Sequence, residues 1–173
     1  SILRIRAAHI DDMQPAVFIE KPHRPSGIIT DVIVWNDDHL ENITYSGNTG
    51  DSDKTARAYE IYCEDADADG ALEIPLPNAP LGANFVSEGQ EIPGISWYGC
   101  SREKYTLKAY TFRLSGEKWN VSLPLDWQNR CIAVYHKQGT VNVSTFYGRK
   151  EDAISEEIFS IIAVNGENRE KNM

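Results

Sequence analysis

Apolar and polar residues alternate along most of this chain, and that period of two limits its fold more than any other property. Successive side chains of a strand point to opposite faces, so a half-buried strand is written as alternation. Leu3, Ile5 and Ala7 alternate with Arg4 and Arg6. Further runs rich in Val, Ile, Thr and aromatic residues cover 16–20, 28–35, 43–46, 58–63, 71–75 and 94–98, then 105–114, 118–123, 131–136 and 141–147. Turn-forming clusters of Gly, Pro, Asn, Asp and Ser separate them at 22–27, 36–38, 46–53, 65–70, 75–82, 115–116 and 138–139. Turns spaced roughly 8 to 12 residues apart predict an all-β fold, an antiparallel β-sandwich of about ten strands. One segment reads differently. Ile154, Ile158, Phe159 and Ile162 recur at helical spacing behind acidic residues, which predicts one short C-terminal helix over 150–162. The expected organisation is a single sandwich domain over 1–165 and a polar tail over 166–173.

The chain has 173 residues, a formal net charge of −9 and three cysteines. A domain of this length buries enough surface to need no covalent staples. An odd count excludes a fully paired intrachain framework, so Cys63, Cys100 and Cys131 read as buried thiols, with Cys63–Cys100 or Cys100–Cys131 as the pairing in an oxidising compartment. The acidic balance argues against nucleic acid, whose phosphates select basic surfaces, and against simple adsorption to anionic lipid. It leaves neutral and zwitterionic targets. The longest apolar runs fall far below ~18 residues, so no membrane-spanning helix is expected.

The turn Asp65-Ala66-Asp67-Ala68-Asp69-Gly70 carries the first half of a calcium loop, D-x-D-x-D-G. Carboxylates at alternate positions converge on one point only if the chain then turns sharply, and Gly70 permits that turn. The expected oxygen set is Asp65, Asp67, Asp69, the Ala71 carbonyl and Glu73. Leu76 stands where an EF-hand has its final Glu. The alternative is a solvated acidic hairpin turn. Ca2+ is the candidate ion; no other cofactor is implied.

Catalytic signatures do not emerge. His9, His23, His39 and His136 are scattered without metal-ligand spacing, and there is no nucleophile elbow, P-loop or dinucleotide fingerprint. The chain therefore reads as a non-enzymatic recognition protein. Its second unusual region is Ser122-Leu123-Pro124-Leu125-Asp126-Trp127-Gln128. Pro124 ends a strand, which leaves Leu125 and Trp127 in a loop, where an indole meets either a membrane interface, a sugar face or the end of the core.

This loop resembles that of the actinoporin-like cytolysins, single β-sandwiches whose general shape is shared by the aegerolysins. The family has serine, any residue, proline, an aromatic, aspartate and an aromatic; Ser122, Pro124, Asp126 and Trp127 match, and Leu125 replaces the first aromatic. Leu76-Pro77, Pro80-x-Gly82 and Gly89 repeat the family's upstream order, so the similarity spans Leu76 to His136. The resemblance implies a secreted or extracellular-acting protein with a phosphocholine-type headgroup pocket containing Ser122, Pro124 and Trp127. Cation–π attraction suits that headgroup, and Tyr135 and Tyr147 are the further candidate faces. The family's N-terminal amphipathic helix has no counterpart, because residues 1–10 have period two and Pro15, Pro22 and Pro25 follow. Surface binding is the expectation, with a partner protein or a homo-oligomer needed for lysis.

Three readings follow. The first is recognition of a membrane lipid headgroup, as a cytolysin or toxin component. The second is a lectin-like carbohydrate-binding module in which Trp35, Trp97 or Trp127 stacks on a sugar near calcium. The third is a structural capsid or fibre subunit.

Overall fold

The computed structural model describes residues 1–78, 90–113, 120–139, 141–150 and 153–164. Within them the chain forms twelve strands: β1 (Arg4–His9), β2 (Pro15–Pro22), β3 (Ile28–Asn36), β4 (His39–Asn42), β5 (Ile74–Pro77), β6 (Gln90–Ile92), β7 (Gly94–Cys100), β8 (Tyr105–Arg113), β9 (Asn120–Leu123), β10 (Cys131–Gln138), β11 (Val141–Lys150) and β12 (Ala153–Val164). Between them lie only three single-turn 3-10 segments. The protein is all-β, with four strands in each of three sheets, and every described ladder is antiparallel. The polar tail over 166–173 and the turn residues Pro80, Gly82 and Gly89 lie outside the described residues.

The chain divides into two compact units, Ser1–Pro77 with Ser96–Ala109, and Asn78–Ile95 with Tyr110–Met173. The first contains the sheet β1-β2-β3-β4, the second the sheet β12-β11-β10-β6; the third sheet, β5-β7-β8-β9, is divided between the units along β7 and β8.

In the first unit, Ala16, Phe18, Val32 and Val34 join Ile10, Cys63, Leu72, Ile74 and Cys100 in one core. Glu20 occupies the next inward position of β2 and is buried with them. Its carboxylate is fully engaged. Oε1 accepts from Arg57 Nη2 at 3.2 Å and from the Cys63 amide at 2.7 Å, and Oε2 pairs with Arg4. Arg57, also buried, gives its other hydrogens to the Ile61 and Thr55 carbonyls and to Thr30 Oγ1. Arg4, Glu20 and Thr30 face one another across three strands, so a charged row crosses the inner face of the sheet. This row inverts β1. Arg4 and Arg6 turn inward to reach the Cys63 carbonyl, and Ile5, expected in the core, is exposed.

β4 runs beside β3 only as far as the Ile33–Asn42 pair. Beyond it, the following segment satisfies the edge of β3 with side chains and isolated backbone bonds, the first from the Ile43 amide to the Val32 carbonyl. Thr44 Oγ1 accepts from the Val32 amide, Thr55 Oγ1 from the Thr30 amide, and Arg57 exchanges backbone bonds with Ile28. This is why 43–46, predicted as a strand, is a turn: Thr44 lends a hydroxyl where a strand would lend its backbone. Residues 58–63 form no ladder either, because the Ile61 amide closes a tight turn on Tyr59 and its carbonyl is taken by Arg57.

The second unit packs around an aromatic chain. Tyr110 meets Phe112 edge-on, Phe112 meets Phe146 edge-on, each at 5.3 Å between ring centres, and Phe146 stacks on Phe159 at 4.4 Å. A Cβ on Gly94 would fall 2.3 Å from Tyr110 Oη, so this backbone approach needs glycine. Of the helix expected over 150–162, Lys150 ends β11, 151–152 lie outside the described residues, and 153–162 belong to β12. Ile154, Ile158 and Ile162 are four apart, an even spacing that suits a strand face as well as a helix face, and pairing with β11 decides between them. The ladder slips twice: β12 takes two steps between Phe159 and Glu157 where β11 takes one, and three between Glu157 and Ile154 where β11 takes two. All three cysteines are free and buried.

Removal of one member of a buried, hydrogen-bonded ion pair strands the other, at a cost of about 3–5 kcal/mol. Arg57→Ala is expected to destabilise the unfolding transition of the first unit by that amount in urea melts. Lys21→Ala, which breaks the half-exposed pairs to Asp31 and Asp51, should cost no more than about 1 kcal/mol.

Candidate functional site

The acidic turn is a hairpin closed by backbone bonds between Glu64 and Glu73 and tied to β1 by the Leu72 amide on the His9 carbonyl. Inside it the carboxylates order the backbone. Asp65 accepts from the Asp69 and Gly70 amides, Asp67 from Asp69, and Asp69 from Ala71. Ala68 takes φ 64° and Gly70 φ 93°. A left-handed alanine costs about 1 kcal/mol, so the surrounding bonds impose this curl.

Oxygens of Asp65, Asp67 and Glu73 lie within 4.8 Å of one another. A second such trio is formed by Asp11, Asp69 and Glu73. Glu73 therefore belongs to both. It is fully buried; Oε2 accepts from the Ala66 amide at 2.7 Å, and Oε1 has no hydrogen-bond partner. The second trio already holds a cation, because the Lys108 ammonium hydrogen-bonds Asp69 Oδ2 at 3.0 Å and forms an ion pair with Asp11 Oδ1 at 3.1 Å. Gly99 makes room for this arrangement: a Cβ there would meet the Asp11 carboxylate at 2.3 Å. Of the five expected ligands, Asp65, Asp67 and Glu73 converge, while Asp69 turns to Lys108; Ala71 is buried and its amide holds Asp69. Asp11 and Lys108 could not be found from local spacing, since they lie 54 and 43 positions from Asp65 in the sequence.

The charges follow this geometry. Burial pushes the Glu73 carboxyl up to about 7, reinforced by Asp67, Asp69 and Asp65 and opposed by the Ala66 amide. The Ala71 amide, then Lys108, hold Asp69 below its ordinary value. Hydrogen bonds to Asp69 and Asp11 hold Lys108 above its own.

The expected headgroup residues all fall in the second unit. Ser122 is the penultimate residue of β9 and is exposed, Pro124 opens the 3-10 turn Leu125–Trp127 and is exposed, and Leu125 is 44% exposed. Trp127 is half-buried and packs on the aromatic core together with Tyr135. Tyr135 shares the core face of β10 with Cys131 and Ala133, and its hydroxyl donates to Asn142 Oδ1 at 2.9 Å. Tyr147 is paired with Ile132, and so points to the other face of the sheet. The structure thus brings Trp127 and Tyr135 to one core and separates Tyr147 from them. Trp97, a candidate sugar platform, is buried, whereas Trp35 is 59% exposed.

No protein-family model, no curated protein and no solved structure matches this chain. The actinoporin-like resemblance therefore rests on the sequence motifs between Leu76 and His136 alone.

Glu73 also sets a pH dependence. Its folded value near 7 exceeds the ordinary 4.5, so the folded state binds the extra proton between those limits. Stability from this group is complete below about pH 4.5 and is lost as pH rises through 7, by up to about 3 kcal/mol. In chelator, the Tm of the first unit should carry this falling component from pH 5 to 8, and Glu73→Gln should abolish it; an identical profile in the variant refutes the assignment.

Proposed function

We propose that this chain is a non-catalytic recognition module that carries a calcium ion in its acidic turn, held by Asp65, Asp67 and Glu73. The observation that supports this reading is Glu73 Oε1, a buried carboxylate oxygen without a partner, beside two further carboxylates. Buried polar atoms are nearly always satisfied, and an exception calls for a ligand. Carboxylate oxygens alone select a hard cation, and calcium tolerates the irregular geometry of a loop better than magnesium. Its six to eight positions exceed what three carboxylates fill, so further oxygens from backbone, water or a bound partner complete the shell. The ion also relieves the repulsion among Asp65, Asp67 and Glu73 that an acidic chain otherwise bears. Lys108 neutralises Asp11 and Asp69 and keeps the ion to the other side of Glu73.

A cation that binds only the folded state raises Tm, by the equivalent of about 2.7 kcal/mol at a hundredfold excess over Kd. The wild-type chain should melt higher in millimolar calcium than in chelator. Glu73→Gln keeps the shape and removes the charge, so it should fold and show no calcium-dependent shift. Equal melting of the wild type in calcium and chelator rejects the reading.

A second reading, contact with a phosphocholine-type headgroup at 122–127, is favoured by exposed Leu125 beside Trp127. Leu125→Ser tests it more cleanly than a Trp127 substitution, because Trp127 supports the core. Burial of the leucine in a lipid interface is worth about a tenfold affinity. Sedimentation with phosphatidylcholine–sphingomyelin vesicles should then show about tenfold weaker binding for Leu125→Ser, and unchanged binding sinks the reading.

A further inference from the structure

The first unit holds a cavity of about 330 Å³ that plays no part in the acidic turn. It lies between the segment after β4 (Ile43, Thr44, Tyr45, Ser46), Lys54 and the β7–β8 turn with the first residue of β8 (Ser101 to Tyr105). Its charge runs against that of the whole chain. Lys54, Arg102 and Lys104 line it, against the single carboxylate of Glu103. Elsewhere in this unit Arg4, Lys21, Arg57 and Lys108 each have a carboxylate partner, whereas Arg6 and Arg24 have none among the described residues. Among the described residues, none of the three cavity cations has one. Arg102 is held by neutral oxygens, its Nη1 on Asn36 Oδ1 at 2.8 Å and its Nη2 on the Trp35 carbonyl at 3.0 Å. The guanidinium is thus positioned and its charge remains uncompensated.

A second observation is independent of charge. Tyr105 lines the cavity and also packs against the core of the first unit, and its phenolic oxygen is buried with no hydrogen-bond partner. Burial raises this phenol to about 12, so it remains a donor at neutral pH. The turn beside it is already ordered, since Ser101 Oγ accepts from the Glu103 and Lys104 amides and the Ser101 amide bonds the Lys104 carbonyl. On the other wall Tyr45 is 56% exposed and offers an apolar ring face with a polar tip. An excess of cations over carboxylates, a hydroxyl donor and an open aromatic face suit an anionic, hydroxyl-rich ring. The volume is at the small end for a ligand pocket and fits one sugar unit better than a chain.

We propose that this cavity binds an acidic sugar, a single saccharide unit whose carboxylate or sulfate group lies among Lys54, Arg102 and Lys104 and accepts from the Tyr105 hydroxyl. The site does not depend on the calcium reading, and its test is run in chelator so that the two fail separately. Binding of glucuronic acid, glucose 6-sulfate, glucose and inorganic sulfate is measured by calorimetry and by shifts of the tyrosine ring resonances, up to about 10 mM, where even a millimolar site is largely filled. The two acidic sugars should bind at least tenfold more tightly than glucose and than sulfate alone; the tighter of the two identifies the anion. The Lys54→Gln and Lys104→Gln double variant should lose at least tenfold for the acidic sugars. Tyr105→Phe removes only the unpartnered hydroxyl, so it should melt no lower than the wild type and still bind several-fold more weakly. Glucose binding as tight as glucuronic acid, tight sulfate without any gain from the sugar (an anion site only), no binding of any probe, or unchanged binding in the double variant overturns the proposal.

Discussion

A carboxylate inside a β-core has to be matched by cations and amides, and in the first unit Glu20 imposes that demand on everything around it. Two arginines and the Cys63 amide answer it. Each then recruits further backbone: Arg4 takes the Cys63 carbonyl, and Arg57 takes Thr55 and Ile61. Irregular chain from 43 to 63 is thereby fastened to β2 and β3 without a strand of its own. An apolar triplet would pack as well and cost less in desolvation. The ionic version has directional bonds, and these specify where a long loop must lie.

That demand also marks the boundary of what alternation can reveal. The strands at 16–20, 28–35, 94–98, 105–113, 131–136 and 141–147 are legible because β-branched and aromatic residues cluster there between turn formers. Facing is not legible from the same pattern. Leu3, Ile5 and Ala7 look like the inner face of β1, yet Arg4 and Arg6 take it, because their partners are supplied by residues far along the chain. β12 is misread for a related reason: isoleucines four apart satisfy both periods, and only the β11 ladder selects one. Of the acidic turn, the curl and the three converging carboxylates are visible in D-x-D-x-D-G and Glu73. Lys108 is not, and together with the Ala71 amide it separates Asp69 from the group. Arg102, Lys104 and Tyr105 are sequence neighbours without a motif, and only folding brings Lys54 to them.

The first unit thus has two poles of opposite sign built by different means. At one, carboxylates are crowded by a tight turn whose amides they organise, and one oxygen stays without a partner. At the other, three cations share a cavity with one carboxylate, Glu103, and none of them has an ion-pair partner among the described residues. Both arrangements forgo local stability that a swap of charges would recover, and structures retain such costs where a ligand offsets them.

The double slip in β12 has a bearing on how copies of this chain meet. The strand ends its sheet, and a straight, regular outer strand offers a second molecule a ready row of amides and carbonyls for stacking. A strand with two extra residues coils more strongly and breaks that row into short, mismatched stretches. Open-ended fibrillar growth through this margin is thereby discouraged by backbone geometry, even though Ile158 and Ile162 lie exposed along it.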